Sequence, residues 1–265
     1  YVPLTDNVAF NYFTKVGRRH PGWKLKVVRL LKRITPQYVR SLDGRHGILT
    51  LSLRQGRDGK LEGVPFVVPG GRFNEMYGWD SYFIVLGLLQ DGRVGLAKAI
   101  IDDMVYEVMH YGAILNANRT YYLTRSQPPF LTSMAKECYK RLSKNAASKQ
   151  WLKGVLDAAI REYHGVWRNP KRRTKIDLTR YFDSGLGVPP EVEPGHFDVA
   201  FAPYAKKRDM SVKEFEHAYR SGAIKIPNLD VYFTHDRSMR ESGHDTRYRL
   251  EGCSADLVTV DLNSL

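Results

Sequence analysis

Residues 69–83 read PGGRFNEMYGWDSYF, and this stretch determines how the rest of the chain is interpreted. Its fifteen residues include three glycines, five aromatic residues, two carboxylates and one arginine. A core strand would not carry Arg72, Glu75 and Asp80 among its aromatic residues, because buried charges need partners. Five aromatic rings are equally unusual for an exposed loop. The stretch therefore predicts a surface that presents charged groups and flat apolar faces to a ligand.

The composition is that of a globular protein. The chain has 265 residues, of which 43% are hydrophobic, so it can bury the core of one large domain or two smaller ones. Apolar runs are far shorter than the roughly eighteen residues of a membrane span. Two cysteines, Cys138 and Cys253, argue against a disulfide scaffold and favour a reducing compartment.

Positive charge is concentrated near the start of the chain. The net charge is +13, and residues 1–40 carry nine Lys or Arg against one acid, Asp6. Such a patch could attract nucleic acid, an acidic membrane or an acidic protein surface. No nucleic-acid motif accompanies it, so we favour a solvated face and predict neither a nucleic-acid nor a membrane partner.

From Asp80 onward the sequence predicts a mainly α fold with irregular loops and short extended segments. An extended segment over 64–68 is expected to lead into Pro69, after a turn at Asp58–Gly59. Apolar residues at helical spacing then predict helices over 82–89, 94–110, 131–142 and 149–167. Asp80 is expected to cap the first of them and Gly112 to end the second. A capping box at Ser211 and Glu214 predicts the start of a further helix that reaches Arg220. Residues 168–196 lack periodicity, which is typical of a functional or disordered loop.

Three further segments share the unusual composition of 69–83. They are 116–130 (NANRTYYLTRSQPPF), 187–191 (GVPPE) and 237–245 (RSMRESGHD), all interpreted as loops. Their arginines, amides, carboxylates and aromatic faces suit a ligand covered with hydroxyl groups, such as a sugar. A structural interpretation stays open for each residue alone: Arg72 could pair with Glu75, and Trp79 could belong to the core.

Other chemical signals are weaker. Glu107 and His110 share a helix face, as in di-iron bundles, but that chemistry needs a second copy and further glutamates. Asn118 begins a glycosylation sequon in a chain without secretory features. Cys138 lies on an apolar helix face and is expected in the core.

The four segments together resemble the α,α-trehalases. PGGRFNEMYGWDSYF is similar to the first signature of that family, and the RSQPPF and RESGHD stretches follow in the family's order. The amino-acid sequences of these segments are most similar to those of the fungal neutral trehalases, which are cytosolic. The resemblance implies an (α/α)6 toroid with a funnel-shaped site, and inverting hydrolysis of trehalose to two glucose molecules.

The resemblance also implies roles for individual residues. Asp245 matches the general acid. The residues matched to trehalose binding are Arg72, Trp79, Asp80, Asn116, Arg125, Gln127, Glu191, Arg240 and Gly243. Gly70 and Gly71 are expected to turn the backbone tightly at the funnel mouth. No metal site or cofactor is implied within this chain.

Some of the family's pattern is missing. Bacterial members have an arginine where this chain has Pro189. The family's second signature, a Gln-Trp-Asp motif near the opposing carboxylate, does not occur, and neither does the calcium-binding segment expected upstream in fungal members. We therefore expect residues 1–265 to be the first half of a catalytic domain, with a basic N-terminal segment over 1–62 and helical pairs with site loops over 63–265.

Two expectations follow from an incomplete domain. The piece alone should be inactive, and the apolar stripe over 97–108 should face water because its partners are missing. The alternative is a non-catalytic sugar-binding or regulatory module that docks an acidic protein partner through residues 15–40.

Overall fold

A computed structural model describes residues 1–244 and 252–265, and the described chain is mainly helical. The helices are α1 (Asn7–Arg19), α2 (Pro36–Arg40), α3 (Asp80–Gln90), α4 (Val94–Tyr111), α5 (Leu131–Arg141), α6 (Ala146–Glu162), α7 (Asp198–Lys206), α8 (Val212–Ser221), α9 (Pro227–Glu241) and α10 (Val260–Ser264). Seven of them pack in two groups, α3 to α6 and α7 to α9. In the described ranges, no helix is long and apolar enough to cross a membrane.

Helix α4 lies at the centre of the first group. Five of its apolar residues lie at helical spacing and are fully buried against α3, α5 and α6: Ala97, Ile100, Ile101, Met104 and Val108. The expectation that this stripe faces water is therefore wrong. Three neighbouring helices surround α4, and Cys138 of α5 is buried in the same core, as predicted. Exposed apolar side chains lie instead on α3 and α6, at Phe83, Leu86, Leu156 and Ile160.

The second group is built around aromatic residues. Phe201 of α7, Phe215 of α8 and Phe233 of α9 are completely buried. The Phe201 ring centroid lies 5.8 Å from that of Phe215 and 5.7 Å from that of Phe233. Rings at such separations contribute beyond the area they bury. This cluster packs α9 in place, and α9 carries Arg240 of the candidate site.

Local signals set most helix ends. Gly112 ends α4 with a φ of 88°, and Ser211 with Glu214 forms the predicted capping box of α8. Helix α6 begins at Ala146, earlier than predicted, because Asn145 and Ser148 form a second capping box. Asp80 is the first residue of α3 and not its cap, since Trp79 occupies the cap position.

The remaining backbone is largely irregular. The predicted turn at Asp58–Gly59 joins a two-stranded antiparallel hairpin, β1 (Leu53–Gln55) with β2 (Leu61–Gly63), whereas residues 64–68 form no strand. Arg40 joins the basic N-terminal segment to the end of α8 by donating to the carbonyls of Tyr219 and Arg220 (3.2 and 2.6 Å). Residues 168–197 contain no helix or strand, as the missing periodicity predicts.

Candidate functional site

A polar cavity of about 570 Å³ lies where three loop segments and the end of α9 meet. Its size falls in the range of small-molecule sites, roughly 300–1,000 Å³. All nine residues that the sequence assigns to sugar binding line it: Arg72, Trp79, Asp80, Asn116, Arg125, Gln127, Glu191, Arg240 and Gly243. The structure thus brings together side chains that are up to 171 residues apart, from Arg72 to Gly243.

The glycine pair forms a tight turn at the rim. Gly70 and Gly71 have φ values of 99° and 60°, which side-chain-bearing residues rarely adopt. The backbone of Gly70 and Phe73 exchanges two hydrogen bonds (3.2 and 3.1 Å) and closes the turn. The turn places Arg72 at the exposed mouth, where it pairs with Glu193 (2.7 Å).

Glu75 has a different partner from the one considered in the sequence. It pairs with Arg119 (2.7 Å) and accepts a hydrogen bond from the Tyr77 hydroxyl (3.1 Å). The possible Arg72–Glu75 pair is therefore not formed. Both charged residues instead reach across to other segments, so each pair joins the first site segment to another.

Trp79 is half-buried and forms part of the cavity wall. Its backbone N–H donates to the Gln127 side-chain oxygen (2.8 Å), which joins the first segment to the second. The Trp79 ring lies against Gly243, where a Cβ atom would come within 2.7 Å of the ring. Gly243 also has a φ of 73°. Close approach and a left-handed backbone therefore both require glycine at this position.

Asn116 joins the second segment to α9. Its side-chain amide donates to the Arg240 carbonyl (3.3 Å) and lies 3.5 Å from the Ser126 carbonyl. Its backbone carbonyl accepts from Gly78 (3.1 Å). Asn116 therefore holds three of the segments that surround the cavity.

Arg125 is the most deeply buried charge of the site. It pairs directly with Glu191, lies 3.8 Å from Asp183, and stacks over the Tyr122 ring at 4.7 Å. Burial opposes ionisation of Glu191, but Arg125 outweighs it and lowers the Glu191 pKa below its usual value. Glu191 is thus a carboxylate that accepts hydrogen bonds, and it is poorly suited to donate a proton.

Arg240 is held in place by two neighbours. Its Nε donates to Asp236 (2.8 Å), one helical turn earlier, and its Nη2 lies 3.2 Å from His196 Nε2. Residues 237–241 belong to α9, so the interpretation of 237–245 as a loop is wrong for this part. The helical pattern was hidden because the inward face of α9 carries polar residues where apolar ones are expected.

The general acid matched to Asp245 lies outside the described residues. The structure describes the chain up to His244, whose ring centroid is 6.2 Å from that of Trp79. Gly243, two positions before Asp245, lines the cavity. Among the described residues, no group of three or more His, Cys, Asp or Glu is arranged to hold a metal ion. Glu107 of the considered di-iron pair accepts a hydrogen bond from the Leu115 backbone (3.1 Å).

Sequence reasoning missed a layer of buried charges beneath the cavity. Asp183, Arg237, Arg172 and Glu241 are all buried. Arg237 donates to the Gly187 carbonyl and lies 3.9 Å from Asp183. Arg237 and Glu241 are four residues apart, a helical spacing that could have placed both on one face of a helix.

The arrangement suits a neutral, hydroxyl-rich ligand. Arg72, Arg125 and Arg240 supply fixed donors, while Glu191 and Asp80 supply carboxylates. Tyr121, Tyr122 and Phe73, which the sequence did not single out, add aromatic faces to that of Trp79.

The fold and the cavity define a helical protein with a polar ligand site walled by aromatic rings. The chain matches the Trehalase family over residues 2–265, and it belongs to that family. It is 49% identical to a cytosolic neutral trehalase of Emericella nidulans and 45% identical to one of Saccharomyces cerevisiae. Each match covers 100% of this chain and 36% of the relative, so the chain spans about a third of their length.

A solved structure agrees with this assignment. The neutral trehalase from Saccharomyces cerevisiae superimposes with a TM-score of 0.94 at 45% identity, covering 100% of this chain and 50% of that one. The match confirms the predicted mainly α fold of the (α/α)6 toroid class.

Proposed function

We propose that this chain forms part of an α,α-trehalase that hydrolyses trehalose to two glucose molecules with inversion. The observation that carries the proposal is the convergence of the nine matched residues on one cavity. A disaccharide has hydroxyl groups on every side, and the arginines, carboxylates and amides around the cavity can bond to them. Aromatic faces such as that of Trp79 suit the C–H faces of the sugar rings.

The proposed reaction uses two carboxyl groups. Asp245, protonated, gives its proton to the bridging oxygen as the glycosidic C–O bond breaks. A second carboxylate, which lies outside residues 1–265, acts as the base. It takes a proton from a water molecule, and the oxygen of that water attacks the anomeric carbon from the opposite face. Each turnover thus consumes one water and yields two glucose molecules.

The ion pairs of the site support binding roles for its other charges. Glu191 is held ionised by Arg125, so it serves as a hydrogen-bond acceptor for the sugar. Arg72, exposed at the mouth and paired with Glu193, is placed to meet a ligand as it enters. Proton donation is assigned to Asp245 by its match to the general acid of the family, and Asp245 follows the cavity-lining Gly243 by two residues.

We also propose a cytosolic location and no cofactor for the reaction itself. The relatives named above are called cytosolic neutral trehalases, which supports the location. We place a regulatory calcium site upstream of residues 1–265, in the full-length protein. A regulatory protein partner remains part of the proposal for the full-length protein.

Replacing Asp245 tests the proposal. We expect Asp245→Asn in the full-length protein to reduce glucose release by about 10⁴-fold, because proton donation to the leaving oxygen is lost. Binding of trehalose, measured by calorimetry, should change little because the cavity's binding groups are kept. Asp177→Asn, an exposed aspartate of the long loop, is the matched control and should stay active.

Two outcomes would contradict the proposal. Near-normal turnover of Asp245→Asn would remove Asp245 as the acid. Trehalose binding without turnover in the unaltered full-length protein would favour the non-catalytic sugar-binding module.

A further inference from the structure

Glu241, the last residue of α9, is a fully buried carboxylate with four donors. Its Oε1 accepts from the Ser126 backbone N–H (2.8 Å) and from Arg172 Nη2 (2.7 Å). Its Oε2 accepts from the Phe182 backbone N–H (2.7 Å) and from Arg172 Nη1. Both oxygens are therefore used, and every donor comes from a part of the chain distant in sequence.

These donors belong to the segments that form the cavity. Ser126 lies between Arg125 and Gln127, two of the cavity-lining residues. Phe182 precedes Asp183, which faces Arg125, in the long segment that also carries Glu191. Glu241 itself follows Arg240, another cavity-lining residue. One carboxylate thus joins three of the site's segments at a single point beneath the cavity.

The charge on Glu241 matters to this junction. Burial opposes ionisation, but the Arg172 guanidinium outweighs it, and with the two backbone donors it lowers the Glu241 pKa below its usual value. An ionised carboxylate can accept all four hydrogen bonds, and bonds to a charged group are stronger than neutral ones. An amide or a protonated carboxyl group of the same shape cannot replace the carboxylate, because its own N–H or O–H would face the N–H donors.

We propose that Glu241 is a positioning residue that holds the Arg125, Glu191 and Arg240 segments in the arrangement that binds trehalose. The inference rests on the proposed function for its ligand. Glu241 touches no cavity surface, so it acts through the backbone of Ser126 and Phe182 and through Arg172. Its loss should shift the segments relative to one another and weaken binding without changing the chemistry of the acid.

The test is Glu241→Gln in the full-length protein. The glutamine amide nitrogen must take the place of one of the two carboxylate oxygens, so one backbone N–H (of Ser126 or Phe182) and one Arg172 N–H lose their acceptor. We expect hydrogen exchange of the peptides containing Ser126 and Phe182 to speed up by about tenfold, since their backbone bonds open more often. The KM for trehalose should rise by about tenfold, with a smaller change in kcat.

The matched control is Asp103→Asn, which alters an equally buried carboxylate that accepts from Ser52 N–H and Oγ (2.9 and 2.7 Å), away from the cavity. It measures the general effect of replacing a buried carboxyl group by an amide. Arg172→Lys is the second variant, because it keeps a positive charge but not the two-pronged geometry. Arg172→Lys should show a smaller rise in the KM for trehalose. It therefore tests the proposal even if Glu241→Gln does not fold.

The outcomes separate the inference from the proposed function. Unaltered protein that neither binds nor cleaves trehalose would refute the proposed function. Normal trehalose affinity in Glu241→Gln and Arg172→Lys, beside an unaltered protein that binds trehalose, would overturn only the positioning role. The positioning role would also be overturned if hydrogen exchange at Ser126 and Phe182 were no faster in Glu241→Gln than in Asp103→Asn.

Discussion

At the scale of single residues, unusual sequence chemistry predicted which segments line one cavity better than which side chains contact one another. Gly70 and Gly71 were expected at a tight turn, and their positive φ values confirm it. The partners of the charged residues could not be read from spacing, since Glu75 pairs with Arg119, 44 positions later in the chain. Ion pairs of this kind depend on tertiary packing, which a local pattern does not contain.

Gly243→Ala tests the contact between a site glycine and Trp79. The added Cβ would lie 2.7 Å from the ring, so the ring must move in addition to the strain of a positive φ. We expect a loss of about 1–3 kcal/mol in the free energy of unfolding, measured with denaturant. The KM for trehalose should rise about tenfold because Trp79 forms part of the cavity wall.

Gly112→Ala is the control for backbone strain. Its φ is 88°, and an added Cβ would have no neighbour within 4 Å. This variant should lose about 1 kcal/mol of stability through strain alone and keep its KM for trehalose. An equal rise in KM in the two variants would show that the Trp79 contact has no role in binding.

At the scale of secondary-structure elements, periodicity succeeded where a helix has one apolar face. It predicted α4 and its glycine end, and the capping box of α8, because these signals are local. It failed for α9, whose buried face carries His235, Arg237 and Glu241 in place of apolar residues. Helices that line a site are hard to recognise from hydrophobic spacing, because functional polar groups occupy their inner positions.

The end of α6 gives a pH-dependent prediction. Glu162 is buried, and burial raises its pKa to about 7, against an opposing hydrogen bond from the Ile114 backbone and the charge of Arg172. Because its pKa is higher in the folded state, the folded protein binds more protons between about pH 4.5 and 7 than the unfolded chain. Stability linked to this group is therefore present at low pH and is lost as the pH rises to 7.

Glu162→Gln should remove this dependence, since glutamine does not titrate. Between pH 5 and 8 the unaltered protein should lose on the order of 2 kcal/mol more unfolding free energy than the variant. Denaturant unfolding at four pH values measures the difference. Glu62→Gln, an exposed change in β2, is the control and should follow the unaltered protein. Parallel curves for all three proteins would mean that Glu162 is ionised throughout.

At the scale of the whole molecule, the sequence predicted the fold class through its motifs but not which helices pack against one another. The apolar stripe of α4 was expected to lack partners, yet α3, α5 and α6 cover it. Periodicity identifies a face that must be buried and does not say which element buries it. The toroid class was predicted from the resemblance of the four motifs to one family, and the structural match supports it.

Residues 1–265 alone should not hydrolyse trehalose, although they contain a closed helical core. Inversion needs two carboxyl groups roughly 6.5–9.5 Å apart, with a water beside the second. Asp245 supplies one. Among the described cavity carboxylates, Glu75, Glu191 and Glu193 are each engaged in an ion pair with an arginine, and Asp80 is matched to sugar binding. Purified residues 1–265 should therefore release glucose more than about a hundredfold more slowly than the full-length protein.

The exposed apolar side chains on α3 and α6 favour aggregation, so circular dichroism is needed to establish that the piece is folded during the assay. Activity within a hundredfold of full length in the folded piece would place both catalytic carboxyl groups inside it, and Asp80→Asn would then be the first variant to examine.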